Sequence, residues 1–164
     1  MSEYHLRRAD KQISEPNELK RILSTQRYMT VAMCRGTEPY LVTMNHAFDE
    51  LQNCLYFHCA SEGKKLEVLG QNETVWGQVM EDHGYIQGQC DHAYMTVHFR
   101  GRVQLLKTAG EKKHALSFMI DRLEDRPDER KTNLIGDGKL EKVTVGKIMI
   151  ESMTGKANLP KPGV

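Results

Sequence analysis

The sequence is short of most features that mark a specialised architecture. Its four cysteines, Cys34, Cys54, Cys59 and Cys90, include no C-x-x-C pair. A chain of 164 residues does not need a disulfide scaffold, so all four read as reduced thiols. No apolar run approaches the ~20 residues that a spanning helix needs. The first residues, MSEYHLRRADKQ, hold no hydrophobic signal segment, so the cytoplasm is the expected location. Excess charge of one sign is also missing: 23 Lys and Arg stand against 22 Asp and Glu, a net charge of +1. Such a chain has no global pull on nucleic acid or acidic membranes, and neither is expected as a partner. Any anion site must be local. There is no internal repeat, low-complexity tract or internal linker.

What is present is enough for one globular unit. Apolar residues make up 39% of the chain, which supports a core and argues against wholesale disorder. The length suggests a single domain over 1–164. Residues 1–12 read as an N-terminal arm and 152–164 as a C-terminal tail.

Residues 16–26 predict a short helix, with Pro16 at its first position and Leu19, Ile22 and Leu23 at i, i+3, i+4. Residues 28–34 predict a strand. A turn at 35–39 leads to a second strand, 40–48, with Tyr40, Val42, Met44 and Phe48 on one face. The almost wholly apolar run 54–60 predicts a third, central strand. A short helix over 62–71 and a strand over 74–80 follow, and residues 81–93 read as polar and irregular. The cleanest strand is 94–106: Met95, Val97, Phe99, Gly101, Val103 and Leu105 alternate strictly with Tyr94, Thr96, His98, Arg100, Arg102 and Gln104. Residues 110–124 predict an amphipathic helix with a stripe of Leu116, Met119, Ile120 and Leu123. Residues 125–139 read as a charged loop and 142–151 as the last strand. Six strands with short links and few helices predict a mainly β (α+β) fold, an antiparallel barrel with peripheral helices.

The segment YFHCASEGKK (56–65) concentrates the chemistry. A strand ends, and Ser61, Gly63, Lys64 and Lys65 open a helix. A helix start offers free N–H donors and partial positive charge. With a hydroxyl and two ammonium groups this is a complete donor set for a phosphate monoester. An ordinary capped surface helix with a lysine pair fits these residues equally well. Alternation puts His58 on the face of Tyr56 and Ala60. It is either a ligand-facing imidazole or a hydrogen-bonded core or interface histidine. The spacings of His83, Cys90, His92 and His98 match no usual zinc-ligand pair, so no metal is expected. Trp76 reads as core, and 122–131 as a solvated charge run. Val42, Met44, Val97 and Phe99 suffice either for the barrel's own core or for a subunit interface as well.

Four stretches in order, LRRADKQISEPNELKRIL (6–23), EPYLVTMNHAF (38–48), LYFHCASEGKKLEVLGQN (55–72) and TVHFRGRVQLL (96–106), with TGKAN (154–158), carry a resemblance. The chain resembles the FMN-binding split-barrel proteins related to pyridoxamine 5′-phosphate oxidase, nearest the nitroimidazole-resistance (nitroimidazole reductase) branch. The resemblance implies a six-stranded antiparallel split β-barrel and a homodimer with FMN at the interface. It implies that Thr43, Met44 and Asn45 line the isoalloxazine ring, that His58 and Cys59 sit beside it, and that Ser61, Gly63, Lys64 and Lys65 hold the phosphate. Tyr94, Thr96 and His98 close the site from the partner, and Lys156 and Asn158 match the tail motif. His58 is the implied catalytic group, orienting a small-molecule substrate or donating a proton. Two departures matter. Met95-Thr96 stands where relatives carry Arg-Ser. The ending GKANLPKPGV lacks the oxidase's arginine and histidine, so oxidation of pyridoxamine phosphate is not expected. The implied function is an FMN-dependent oxidoreductase acting on a nitro-aromatic or quinone-like molecule. The alternatives are a flavin-binding protein without turnover, a haem-binding or haem-degrading split barrel, use of deazaflavin in place of FMN, and an interaction domain without cofactor.

Overall fold

In the computed structural model, which describes residues 8–135 and 140–160, the strands form a single antiparallel sheet. Residues 1–7 of the expected arm, 136–139 of the charged segment and 161–164 of the tail lie outside the described residues. In chain order the elements are β1 (Gln12–Ile13), α1 (Pro16–Thr25), β2 (Tyr28–Arg35), β3 (Glu38–Asn45), β4 (Ala47–Asp49), β5 (Cys54–Ala60), α2 (Lys64–Gln71), β6 (Thr74–Ile86), β7 (Asp91–Leu105), α3 (Ala109–Leu123), α4 (Pro127–Leu134) and β8 (Val143–Asn158), with single 3-10 turns at Ala9–Lys11 and Leu140–Lys142. The sheet runs β3-β2-β6-β7-β8-β5-β4, with β1 paired to β8. It curls on itself without closing, which makes the fold a split barrel. No described helix is long and apolar enough to cross a membrane.

The inward residues of every long strand meet in one core. Val31, Val97, Phe99, Phe57, Leu55 and Ile148 are fully buried. Val97 and Phe99 thus fill the barrel's own interior rather than a subunit interface. Close packing there needs glycine: a Cβ on Gly77 would run into the ring of Phe99, and one on Gly146 would lie 2.6 Å from the ring of Phe57. A smaller second core lies outside the barrel, where Ala115 and Met119 of α3 cover Tyr56, Cys54 and Val145.

Several boundaries differ from the sequence reading. The strand expected over 40–48 is two, because the backbone leaves the ladder at His46, whose N–H donates to the carbonyl of Arg27 at 3.1 Å. With β1 this turns six expected strands into an eight-stranded sheet. Residues 81–93, expected to be irregular, extend β6 and β7 into a long hairpin with a register shift between Asp82 and Tyr85. The charged segment contains α4, which has Pro127 at its start, Asp128 and Glu129 in its first turn and Lys131 in its last. β8 runs on to Asn158 and pairs with both β1 and β7, so residues 152–158 are strand. Trp76, expected in the core, is 45% exposed.

Candidate functional site

The two ends of the sheet approach each other at the split. One lip is the edge strand β3. The other is the outer half of β5, which β4 covers only as far as Tyr56. β5 then turns through Ser61 and Gly63 into α2. Gly63 takes φ +132°, a conformation that L side chains rarely adopt. Nothing crowds its Cβ position, so the backbone conformation alone calls for glycine here.

This arrangement brings together most of the predicted residues. Thr43 and Asn45 are exposed on the outer face of β3, while Met44 is buried in the core. The Thr43 hydroxyl lies 3.2 Å from that of Thr30. Lys65, half-buried, sends its Nζ to 3.0 Å from Met44 Sδ. Among the described residues no carboxylate pairs with it. Lys64 is more exposed, 3.3 Å from Glu38 Oε1 and over the ring of Tyr40 at 5.0 Å. Glu38 is held below the ordinary carboxylate range by Arg35 first and Lys64 second. Ser61 is exposed at the same turn. The first N–H groups of α2 face outward, since intrahelical bonding to the Gly63 carbonyl begins only with Leu66 and Glu67.

His58 and Cys59 stand on opposite faces of β5. Burial, and then the nearby Lys65, lower the pKa of His58, so it is neutral at pH 7. Cys59 faces inward, and burial raises its thiol pKa against the pull of Lys65. His58 opens instead onto a cavity of about 450 Å³ between the sheet edge and α3, which it lines together with Asn45 and Arg27.

Tyr94, Thr96, His98 and Lys156 are not part of this cluster. They lie on the outer face of β7 and β8, in the middle of the sheet, where Thr96 pairs with Lys156. Lys156 Nζ sits 5.8 Å from the Tyr94 ring centre. Burial and then Lys156 lower the His98 pKa. Thr96 is buried, and its hydroxyl donates to the carbonyl of Val79 at 3.1 Å. Asn158 accepts from Lys11 Nζ at 2.6 Å and donates to the His92 carbonyl.

The donor set at the seam fits a phosphate ester: a free helix start, a hydroxyl, and a half-buried ammonium that touches a thioether and, among the described residues, no carboxylate. Thr43 and Asn45 next to it offer polar edges to a planar ring. The cavity's other lining residues are not legible in the sequence as site residues. Arg27 carries no local signal, being one more exposed cation at a helix–strand junction. The stripe on α3 is legible, but as core packing rather than as a cavity wall.

A family model described as pyridoxamine 5′-phosphate oxidase matches residues 15–157. No curated protein matches the chain. Solved structures share the fold. One is a candidate 5-nitroimidazole antibiotic resistance protein from Bacteroides thetaiotaomicron VPI-5482, 23% identical with a TM-score of 0.72, covering 88% of this chain and 85% of that one. Another is a FAD-binding protein from Mesorhizobium loti, 22% identical with a TM-score of 0.66, covering 90% and 97%. A third is a flavocytochrome from Azotobacter vinelandii, 17% identical with a TM-score of 0.82, covering 97% and 74%.

Proposed function

Because the chain belongs to the pyridoxamine 5′-phosphate oxidase family, we propose that it binds FMN at the split of its barrel and acts, as a homodimer, as an oxidoreductase on a small oxidised molecule. The observation that carries this reading is Lys65, a half-buried cation with no carboxylate partner among the described residues, placed beside the open start of α2. A buried or half-buried charge without a counter-ion is costly, and a phosphate bound at that spot would supply one.

The bound flavin supplies the electron chemistry. The chain supplies everything else. Ser61, the N–H groups after Gly63, Lys64 and Lys65 hold the phosphate. Thr43 and Asn45 fix the ring through polar contacts at its edge. His58, neutral at pH 7, donates or accepts one hydrogen bond to the substrate's oxidised group and holds a proton at that atom. The apolar flank of α3 keeps water from it.

Homodimerisation has its own support. Tyr28, Leu41, Trp76 and Met80 are 41–64% exposed and all point outward from neighbouring strands. Tyr94, His98 and Lys156 share that outer face. In the proposed dimer, packed two-fold through this face, these residues of each copy would close the seam of the other.

The test begins with the visible spectrum of the purified protein, followed by denaturation and identification of the released chromophore. FMN in the supernatant is expected. FAD or deazaflavin would move the cofactor identity and leave the site. A Soret band in place of flavin would favour haem and overturn the reading. Replacing Lys64 and Lys65 together by Ala is expected to weaken FMN binding by at least about a hundredfold, each lost charge-assisted contact costing roughly 1.5–3 kcal/mol. Unchanged affinity on titration would remove the phosphate assignment.

A further inference from the structure

The cavity beside His58 has a chemical character of its own. Its wall on α3 is apolar, made by Leu116, Met119, Ile120 and Leu123. Opposite stand His58 and Arg27. The Arg27 guanidinium pairs with no carboxylate among the described residues. Glu124 lines the same cavity but lies 3.7 Å from Arg130 Nε, so its charge is answered elsewhere. The lining therefore combines an apolar wall, one carboxylate already paired with Arg130, and one cation, Arg27, that no carboxylate answers among the described residues. Its volume of about 450 Å³ falls in the range of small-molecule sites.

We propose that this cavity selects a small aromatic carboxylate, with its ring against α3 and its carboxylate on Arg27. A guanidinium presents two parallel N–H groups that match a carboxylate, which a point charge cannot do. A flat ring gains from the apolar wall roughly in proportion to the area it buries. The neutral His58 then meets the far end of the ring, where an oxidised substituent would lie. The inference rests on the flavin reading only in naming such an acid as the substrate class; the binding itself does not require flavin.

Calorimetric titration of the full chain with 4-nitrobenzoate and its uncharged isostere 4-nitrobenzamide tests this. The acid is expected to bind at least about tenfold more tightly than the amide, a difference of about 1.4 kcal/mol. Arg27→Gln should erase that preference by weakening the acid alone. Arg27→Lys, which keeps the charge and loses the fork, should fall between. Met119→Trp, which fills the cavity, should weaken both ligands. Equal affinities for acid and amide, no binding of either, or an acid affinity unmoved by Arg27→Gln would each overturn the proposal. Flavin content measured on the same samples separates the two readings. Acid selectivity without releasable flavin would keep the cavity's role and sink the cofactor reading. Bound flavin without acid selectivity would do the reverse.

Discussion

His46 is 1% exposed, and its Nε2 donates to the carbonyl of Leu23 at 2.9 Å. Its Nδ1 is buried and has no hydrogen-bond partner among the described residues. Burial lowers the imidazole pKa against the opposing effect of that hydrogen bond. The unfolded chain takes up a proton on this side chain near pH 6.5, while the folded chain resists it. Stability is therefore full above about pH 6.5 and falls as the pH drops from there through the folded pKa. His58 and His98, also lowered, act in the same direction. Urea midpoints measured from pH 8 to pH 5 should decline. His46→Leu should be less stable at pH 8, by roughly 1–3 kcal/mol for the stranded Leu23 carbonyl, and should show a shallower decline. Parallel pH profiles for the two proteins would remove His46 from the account. The alternation of 40–48 puts His46 on the apolar face with Met44 and Phe48, which signals burial, but nothing in it signals the bond to Leu23. His58, Lys64 and Lys65 are legible because the run in which they stand changes from apolar strand to glycine and charge within a few residues.

Elements with a strong period are legible end to end, and those held by other forces are not. β7 alternates so cleanly that Met95, Val97, Phe99 and Val103 can be read directly as inward, although Leu105 at its end is exposed and Thr96 on the polar face is buried. The extension of β6 and β7 into residues 81–93 has no apolar period. It rests on backbone pairing and on local contacts, such as His92 Nε2 donating to Asp82 at 2.6 Å. The short α4 is polar all round, so only its end signals mark it. α3 has both kinds of signal. Thr108 accepts from the Glu111 N–H at 3.2 Å while Glu111 accepts from the Thr108 N–H at 3.0 Å, a reciprocal cap. That cap anchors the helix that roofs the cavity beside His58. Thr108→Ala should cost about 1 kcal/mol, read as a lower urea midpoint. A midpoint unchanged within error would show that the packing of α3 on Tyr56 and Val145, and not the cap, holds the roof.

At the scale of the whole molecule, the proposed dimer makes the seam half a site. One chain provides Thr43, Asn45, His58 and the start of α2, while Tyr94, His98 and Lys156 lie several strands away on the outer face of the same sheet. The outer face also carries the large exposed apolar side chains, in adjacent register: Ala32 of β2 pairs with Leu41 on one side and with Trp76 on the other. The sequence shows that this chain has apolar residues to spare but not which ones face outward, since Trp76 and Val97 are equally apolar as letters. Only the curl of the sheet sorts them. If two copies meet through this face, a charge placed at its centre must act on assembly and on cofactor retention together. Trp76→Glu should lose at least the ~2 kcal/mol of a central interface residue, roughly thirtyfold in the dissociation constant. Sedimentation should then show monomer at concentrations where the parent chain is dimeric, and the monomer should carry less flavin. A variant that stays dimeric would place the interface elsewhere. A monomer that keeps its full flavin content would confine the cofactor site to one chain and leave Tyr94, His98 and Lys156 outside it.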